Sequence, residues 1–376
     1  MLSWDHRLFA AFLTPSQTFW INTFLRFPKK KKLYNINKMT EHSFLKDLEK
    51  CELCEHRCRA NRIKGETGVC KVTRPTVASA TLHPAPPESY TVFMAGCNFK
   101  CLNCQNWTIS QYPDNGFVQR GFIDPAELAK ECVEQLNSIS GRRMGADRIF
   151  FSGGEPTIHL PYIEKIVEEA RKIRPVSKVN YDTNGYMTEE SLIRVLDFTT
   201  SITYDLKAYH NEIHLALTGA SSAPVLRNAE YIGKYAKDRL WEYRIVVIPR
   251  INENEIKPLT EFIASIDPSL PVNFLAFRPN FVLVNHPGAD RQLMERCVDI
   301  AWQSGLKNAY WSGYTGISGK VADIENGLKE TYLSDEARLA GSYARYAGCQ
   351  THIRNCNACC FNQECHLKKY IPRLST

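Results

Sequence analysis

The chain has 376 residues, 44% hydrophobic and 23% charged, an ordinary globular composition with room for one large α/β domain or two smaller ones. No run of about 18 apolar residues occurs, which excludes an apolar membrane-spanning helix. The net charge of +7 suggests nucleic acid, but Arg7, Arg26, Lys29, Lys30, Lys31, Lys32 and Lys38 face Asp5 alone in the first 38 residues. Nearly all of the excess sits there, elsewhere Lys and Arg are scattered, and no nucleic-acid partner is expected.

Residues 1–38, "MLSWDHRLFAAFLTPSQTFWINTFLRFPKKKKLYNINK", show no sustained period. They read as a start site set too early before Met39, a disordered basic tail or a targeting segment. Residues 39–87 form a cysteine-rich N-terminal segment. Its "CELCEHRCRANRIKGETGVC" spaces Cys51, Cys54, Cys58 and Cys70 as C-x2-C-x3-C-x11-C. Four thiolates at that spacing suit tetrahedral zinc or an iron–sulfur cluster.

From residue 88 to 315 short apolar runs alternate with amphipathic ones. Strands are predicted at 90–95, 147–152, 178–182, 201–206, 241–249, 272–277 and 308–313. Between them lie predicted helices. Asp124-Pro125 caps the one that opens "AELAKECVEQLNSI", and others are "LPYIEKIVEEARKI", "EESLIRVLDF", "APVLRNAEYIGKYAKD", "EIKPLTEFIASI" and "DRQLMERCVDIAWQSG". The alternation predicts parallel βα units closed into a full or partial barrel. Cys132 and Cys297 fall on apolar helix faces and read as core.

Chemistry-bearing residues recur just after the strands. "CNFKCLNCQNW" follows the first strand and spaces Cys97, Cys101 and Cys104 as C-x3-C-x2-C. "SGGEP" follows the second, with Gly153, Gly154 and Glu155. "DTNGY" follows the third, with Thr183 and Asn184, and "DLK" the fourth, with Asp205 and Lys207. Paired glycines let backbone approach a ligand closely, and a carboxylate beside them can accept from an ammonium. "FRPNFVLVNHPG", residues 277–288, is a loop able to cover the mouth, with Arg278 and Asn280 as candidate substrate contacts. Residues 316–376 carry Cys349, Cys356, Cys359, Cys360 and Cys365, with His352 among them, and read as a third metal site, zinc or iron–sulfur. Twelve of the fourteen cysteines fall in these three clusters. That is metal spacing rather than a disulfide framework, and it points to a reducing, cytoplasmic setting.

These motifs, in this order over about residues 88–315, resemble the radical S-adenosylmethionine (radical SAM) superfamily. The resemblance implies that Cys97, Cys101 and Cys104 bind a [4Fe-4S] cluster whose open iron is chelated by SAM. Gly153, Gly154 and Glu155 match the segment that receives the SAM amino group. Thr183 and Asn184 match the region near its ribose and methionyl part, and Asp205 and Lys207 match contacts to ribose hydroxyls and carboxylate. Asn103 stands where the family usually has an aromatic near the adenine, and Phe99 or Trp107 are the substitutes at hand. The layout is similar to the branch around pyruvate formate-lyase activating enzyme. It is also similar to an archaeal branch that includes a cobalamin-dependent C-methyltransferase of a glutamine in methyl-coenzyme M reductase, although no D-x-H-x-x-G motif is present. The resemblance implies a protein or peptide substrate and a ferredoxin- or flavodoxin-class electron donor. Protein C-methylation of that glutamine with cobalamin is the reading the layout favours, with glycyl-radical generation on a partner enzyme or radical chemistry on a small metabolite as the alternatives.

Overall fold

Seven strands run parallel because a helical return between successive ones brings the chain back to the same edge. The computed structural model describes residues 43–321 and 331–371; residues 1–38 lie outside this range. The sheet order follows the chain, β1 to β8. β1 (Val77–His83) pairs antiparallel with β2 (Ser89–Met94). β3 (Arg148–Gly153), β4 (Lys178–Thr183), β5 (Ser201–Asp205), β6 (Leu240–Val247), β7 (Val272–Ala276) and β8 (Ala309–Ser312) continue the parallel run. The seven predicted strands are β2 to β8. β1 was not predicted.

The sheet is open, with β1 and β8 at its edges. Of the two barrel alternatives this is the partial one. β2 spends one edge on the antiparallel β1, and the four-residue β8 acquires no further neighbour among the described residues.

The helices follow from their caps and apolar spacing. α1 (Pro125–Asn137) opens with Asp124 accepting from the Ala126 amide at 2.9 Å and proline in its first turn. α2 (Leu160–Ile173), α3 (Glu189–Phe198), α4 (Asn211–Thr218), α5 (Ala223–Tyr235), α6 (Ile256–Ile266) and α7 (Arg291–Gln303) follow. α8 (Asp335–Tyr346) begins on the Ser334 cap. Cys132 and Cys297 are buried in α1 and α7.

Alternation along the strands sorts the two sheet faces. Val92, Phe151, Val179, Ile202, Tyr243, Ile245 and Phe274 are buried on the face that the helices cover. Tyr204 and Tyr243 donate from it to Val225 and Ala229 of α5, each at 2.6 Å. The alternate positions are largely polar: Ser152, Asn180, Asp182, Thr203, Asp205, Glu242, Arg244 and Asn273. A TIM barrel fills that interior with branched apolar side chains; here it is lined for polar contact.

Candidate active site at the strand ends

The parallel register brings the strand C-termini to one rim, with Met94 opposite Gly153 and Asp205 opposite Arg244. The cysteine loop leaves β2 there. Gly96 turns it at φ +86 and donates to Ile109 O at 2.8 Å, while the Glu155 amide donates to Gly96 O at 2.9 Å. Cys97 is buried and Cys101 and Cys104 are half-buried. The Phe99 amide donates to Cys97 Sγ at 3.3 Å, and Cys104 Sγ lies 3.1 Å from Ser110 Oγ. Burial pushes the Cys97 thiol well up, and the Cys101, Glu155 and Cys104 charges add to this. Burial lifts Cys101 to about 12 against the pull of Lys207. Three thiols thus share one electrostatic neighbourhood, and a bound metal must displace their protons. The donor set fits a [4Fe-4S] cluster held by three cysteines, with one iron left open.

Glycine at 153 and 154 lets the end of β3 pack backbone to backbone on the segment that opens the cysteine loop. A Cβ on Gly154 would sit 1.8 Å from Gly96 O, and one on Gly153 (φ +119) 2.3 Å from Met94 O. Glu155 is buried, and its carboxylate accepts from the Thr157 amide at 3.0 Å, Thr183 Oγ1 at 2.8 Å and the Asn184 amide at 2.8 Å. Burial raises its pKa to about 7 although these bonds favour the carboxylate. Glu155 therefore fastens the end of β3 to the turn after β4. Asn184 in that turn reaches the cysteine loop, donating to Asn98 Oδ1 at 2.8 Å and lying 3.8 Å from Cys97 Sγ.

Asp205 and Lys207 are joined at 2.7 Å, and Arg244 donates to Asp205 at 2.7 Å and to Asp182. Ser152 closes the row on Asp182 at 2.6 Å. Burial opposes the Asp205 charge, but Arg244 and Lys207 outweigh it and hold the group down to about 2. Burial likewise opposes the Lys207 ammonium, and Asp205 and Cys101 more than restore it. Asp182 and Arg244 are site residues that motif reading missed. Their signal was the polar member of the alternation in "KVNYD" and "WEYRIVV".

Of the aromatic substitutes, Phe99 is enclosed by Tyr186 and His214, with ring centroids at 5.3 and 5.5 Å. Trp107 stacks on Phe281 of the 277–288 loop at 5.6 Å, so that loop reaches the cysteine segment. Arg278 lies over Tyr314, and Asn280 donates to Arg278 O at 2.7 Å. Asn103 is buried with Oδ1 unpartnered.

Cys51, Cys54, Cys58 and Cys70 line one cavity. In the tail, Cys349 and Cys365 act electrostatically on Cys356, which is buried, whereas Cys360 and His352 are exposed. The tail crosses the cysteine loop: Arg354 donates to Lys100 O, Lys100 to Asn362 at 2.9 Å and Lys368 to Cys97 O at 3.4 Å. None of the fourteen cysteines is in a disulfide, and among the described residues no helix is long and apolar enough to cross a membrane.

Residues 91–263, from β2 through most of α6, match the Radical SAM superfamily. The chain carries a radical SAM domain. An uncharacterised protein of Methanocaldococcus jannaschii is 28% identical to it over 271 residues, 69% of this chain and 76% of that protein. A putative glycyl-radical enzyme activating enzyme from the same organism is 27% identical over 232 residues, 60% of this chain and 82% of that one. A pyruvate formate-lyase-activating enzyme of Staphylococcus epidermidis is 25% identical over 191 residues, 48% and 71% of the two chains. The radical SAM domain holds all seven SAM-site candidates and the three loop cysteines within those bounds.

Proposed function

We propose that this radical SAM enzyme abstracts a hydrogen atom from a protein or peptide, with generation of a glycyl radical on a partner enzyme as the reading the site and its relatives favour. The observation that carries the reaction class is the rim itself, where three mutually acting thiols meet a glycine-only approach at Gly153 and Gly154. Cys97, Cys101 and Cys104 hold the [4Fe-4S] cluster. Once reduced with SAM bound, it supplies a 5′-deoxyadenosyl radical. Gly153 and Gly154 let the end of β3 close on the cysteine loop where the motif places the SAM amino group, and Glu155 positions Thr183 and Asn184 beside it. Asp205 and Lys207, kept charged by one another and by Arg244, offer an acceptor and a donor to the ribose hydroxyls and carboxylate. A ferredoxin- or flavodoxin-class protein in a reducing cytoplasm supplies the electron. Cys349, Cys356, Cys359, Cys360 and Cys365 form a further metal site in the tail, zinc or iron–sulfur.

The open sheet supports a macromolecular substrate, because among the described residues no ninth strand seals its polar face, which can admit an extended chain. The function-named relatives favour the activase over cobalamin-dependent methylation of methyl-coenzyme M reductase. The test is to incubate the reduced protein and SAM with pyruvate formate-lyase and, separately, with methylcobalamin and a glutamine peptide from methyl-coenzyme M reductase. A carbon-radical signal on the lyase supports the activase. A methylated peptide with S-adenosylhomocysteine released transfers the case to methylation. Formation of 5′-deoxyadenosine with neither partner modified points to a small metabolite.

A further inference from the structure

We propose that Cys51, Cys54, Cys58 and Cys70 hold a second iron–sulfur cluster of the four-iron type, beside the loop that carries Cys97. The site stands apart from the reading above, since nothing in it depends on SAM.

The four thiols face one cavity, walled by Leu53, Val69 and Ile158. Room has been made for them: a Cβ on Gly68 would lie 2.6 Å from Cys58 Sγ. Donors are turned toward sulfur, the Val69 amide to Cys58 at 3.4 Å and Arg62 Nη1 to Cys51 at 3.6 Å. The backbone is held in left-handed conformations at Arg57 (φ 42), Arg59 (φ 55) and Lys71 (φ 58). None of these is glycine, so each costs roughly 1 kcal/mol or more and persists only where its surroundings impose it.

Charge indicates what occupies the cavity. Arg62 lines it and is 2% exposed. One nitrogen donates to Ile158 O at 2.6 Å, while Nε and Nη2 have no partner. A buried guanidinium cannot be neutralised by losing its proton, so it needs an anion. The cavity wall offers no carboxylate; it offers four thiols. Four thiolates on a metal centre carry the missing negative charge.

Size separates a cluster from a single ion. Zinc draws four sulfurs to about 2.3 Å from one point, hence about 3.8 Å from each other. Among the described residues no three Cys, His, Asp or Glu side chains converge on one ion position. The thiols instead surround a space, the arrangement a cube of iron and sulfide requires. The space abuts the first cysteine loop: Ile158 also packs against the Gly96 position, and His56 Nε2 lies 2.8 Å from Asn98 O.

The test uses the full chain, purified without oxygen, with Cys97, Cys101 and Cys104 all replaced by serine so that the first cluster is gone. Iron, zinc and acid-labile sulfide are counted, and the dithionite-reduced protein is examined by electron paramagnetic resonance. Adding Cys58→Ser, at an exposed position, should remove about four iron and four sulfide per chain together with the cluster signal. Adding Arg62→Met instead leaves every thiol in place and should move the midpoint potential of that signal to more negative values. Loss of one zinc with iron unchanged overturns the proposal, as does an iron and sulfide count that Cys58→Ser leaves unchanged.

Discussion

Gly154 has no room even for a methyl group. Its Cβ position falls 1.8 Å from a carbonyl oxygen that itself accepts the Glu155 amide. Gly154→Ala should therefore destabilise the folded chain by about 2 kcal/mol or more, read from denaturant melts, and weaken SAM binding by more than tenfold in equilibrium dialysis. A less disruptive probe of the chemistry is Cys101→Ala. It should abolish 5′-deoxyadenosine release from reduced protein and SAM, and release at the parental rate would refute the assignment. Arg244 tests the row of charges. Arg244→Met strands Asp182 and Asp205 facing each other with only Lys207 and Ser152 nearby. The expected loss is on the order of 3 kcal/mol, and Asp182→Asn in the same chain should recover part of it.

At the scale of elements, strand and helix periods were readable because the helix-covered sheet face is continuously apolar and the caps are explicit. Asp124-Pro125 and Thr188 followed by "EESLIRVLDF" mark their helices without help from the rest of the fold. β1 escaped because "VASATLH" is small and half-polar, and it is held by its pairing with β2 more than by its own burial. The cysteine loop and the motifs after β3, β4 and β5 were legible since each is local in sequence. Arg244 was not, because its role exists only once β4, β5 and β6 are aligned. Arg354 and Lys368 were not either, since their partners lie more than two hundred residues away. Among the buried histidines, His159 and His214 add a pH dependence at this scale. Burial lowers His159 from 6.5 to about 3 and His214 from 6.5 to about 4. Both are neutral in the fold, so the unfolded chain takes up their protons first. The stability they contribute is complete above about pH 6.5 and is lost as pH falls toward 4 and 3. The melting temperature should decline steadily across that window. His214→Asn, which can still donate to Ala220 O, should flatten the upper part of the decline.

Across the whole molecule, the cations are in the wrong place for a chain without metal. Arg62, Lys71, Lys100, Arg354 and Lys368 are all buried. Among them only Lys71 has a carboxylate partner, Asp114 at 2.9 Å. The others point at carbonyls, at Asn362 and at the sulfur-bearing loops. Burial works against the Lys368 ammonium, and Lys100 beside it adds to this. Thiolates on iron, as proposed above, would be the counter-charges that make such burial tolerable. Stripping iron by chelation under reduction should lower the melting temperature of the full chain far more than surface salt-bridge losses would. Restoring iron and sulfide without oxygen should return it.

The tail stitched over the cysteine loop implies an order of events in the life of the chain. With Arg354 on Lys100 O and Lys368 on Cys97 O, the last described segment lies across the only loop that carries Cys97, Cys101 and Cys104. If these cysteines hold the proposed cluster, iron would have to arrive while that seam is still undone, and the seam would then shut over the finished centre. Maturation and closure thus become one ratchet. Brief trypsin treatment makes it visible: iron-free chains should be clipped at Arg354, Lys368 or Lys369, and loaded chains should keep their C-termini.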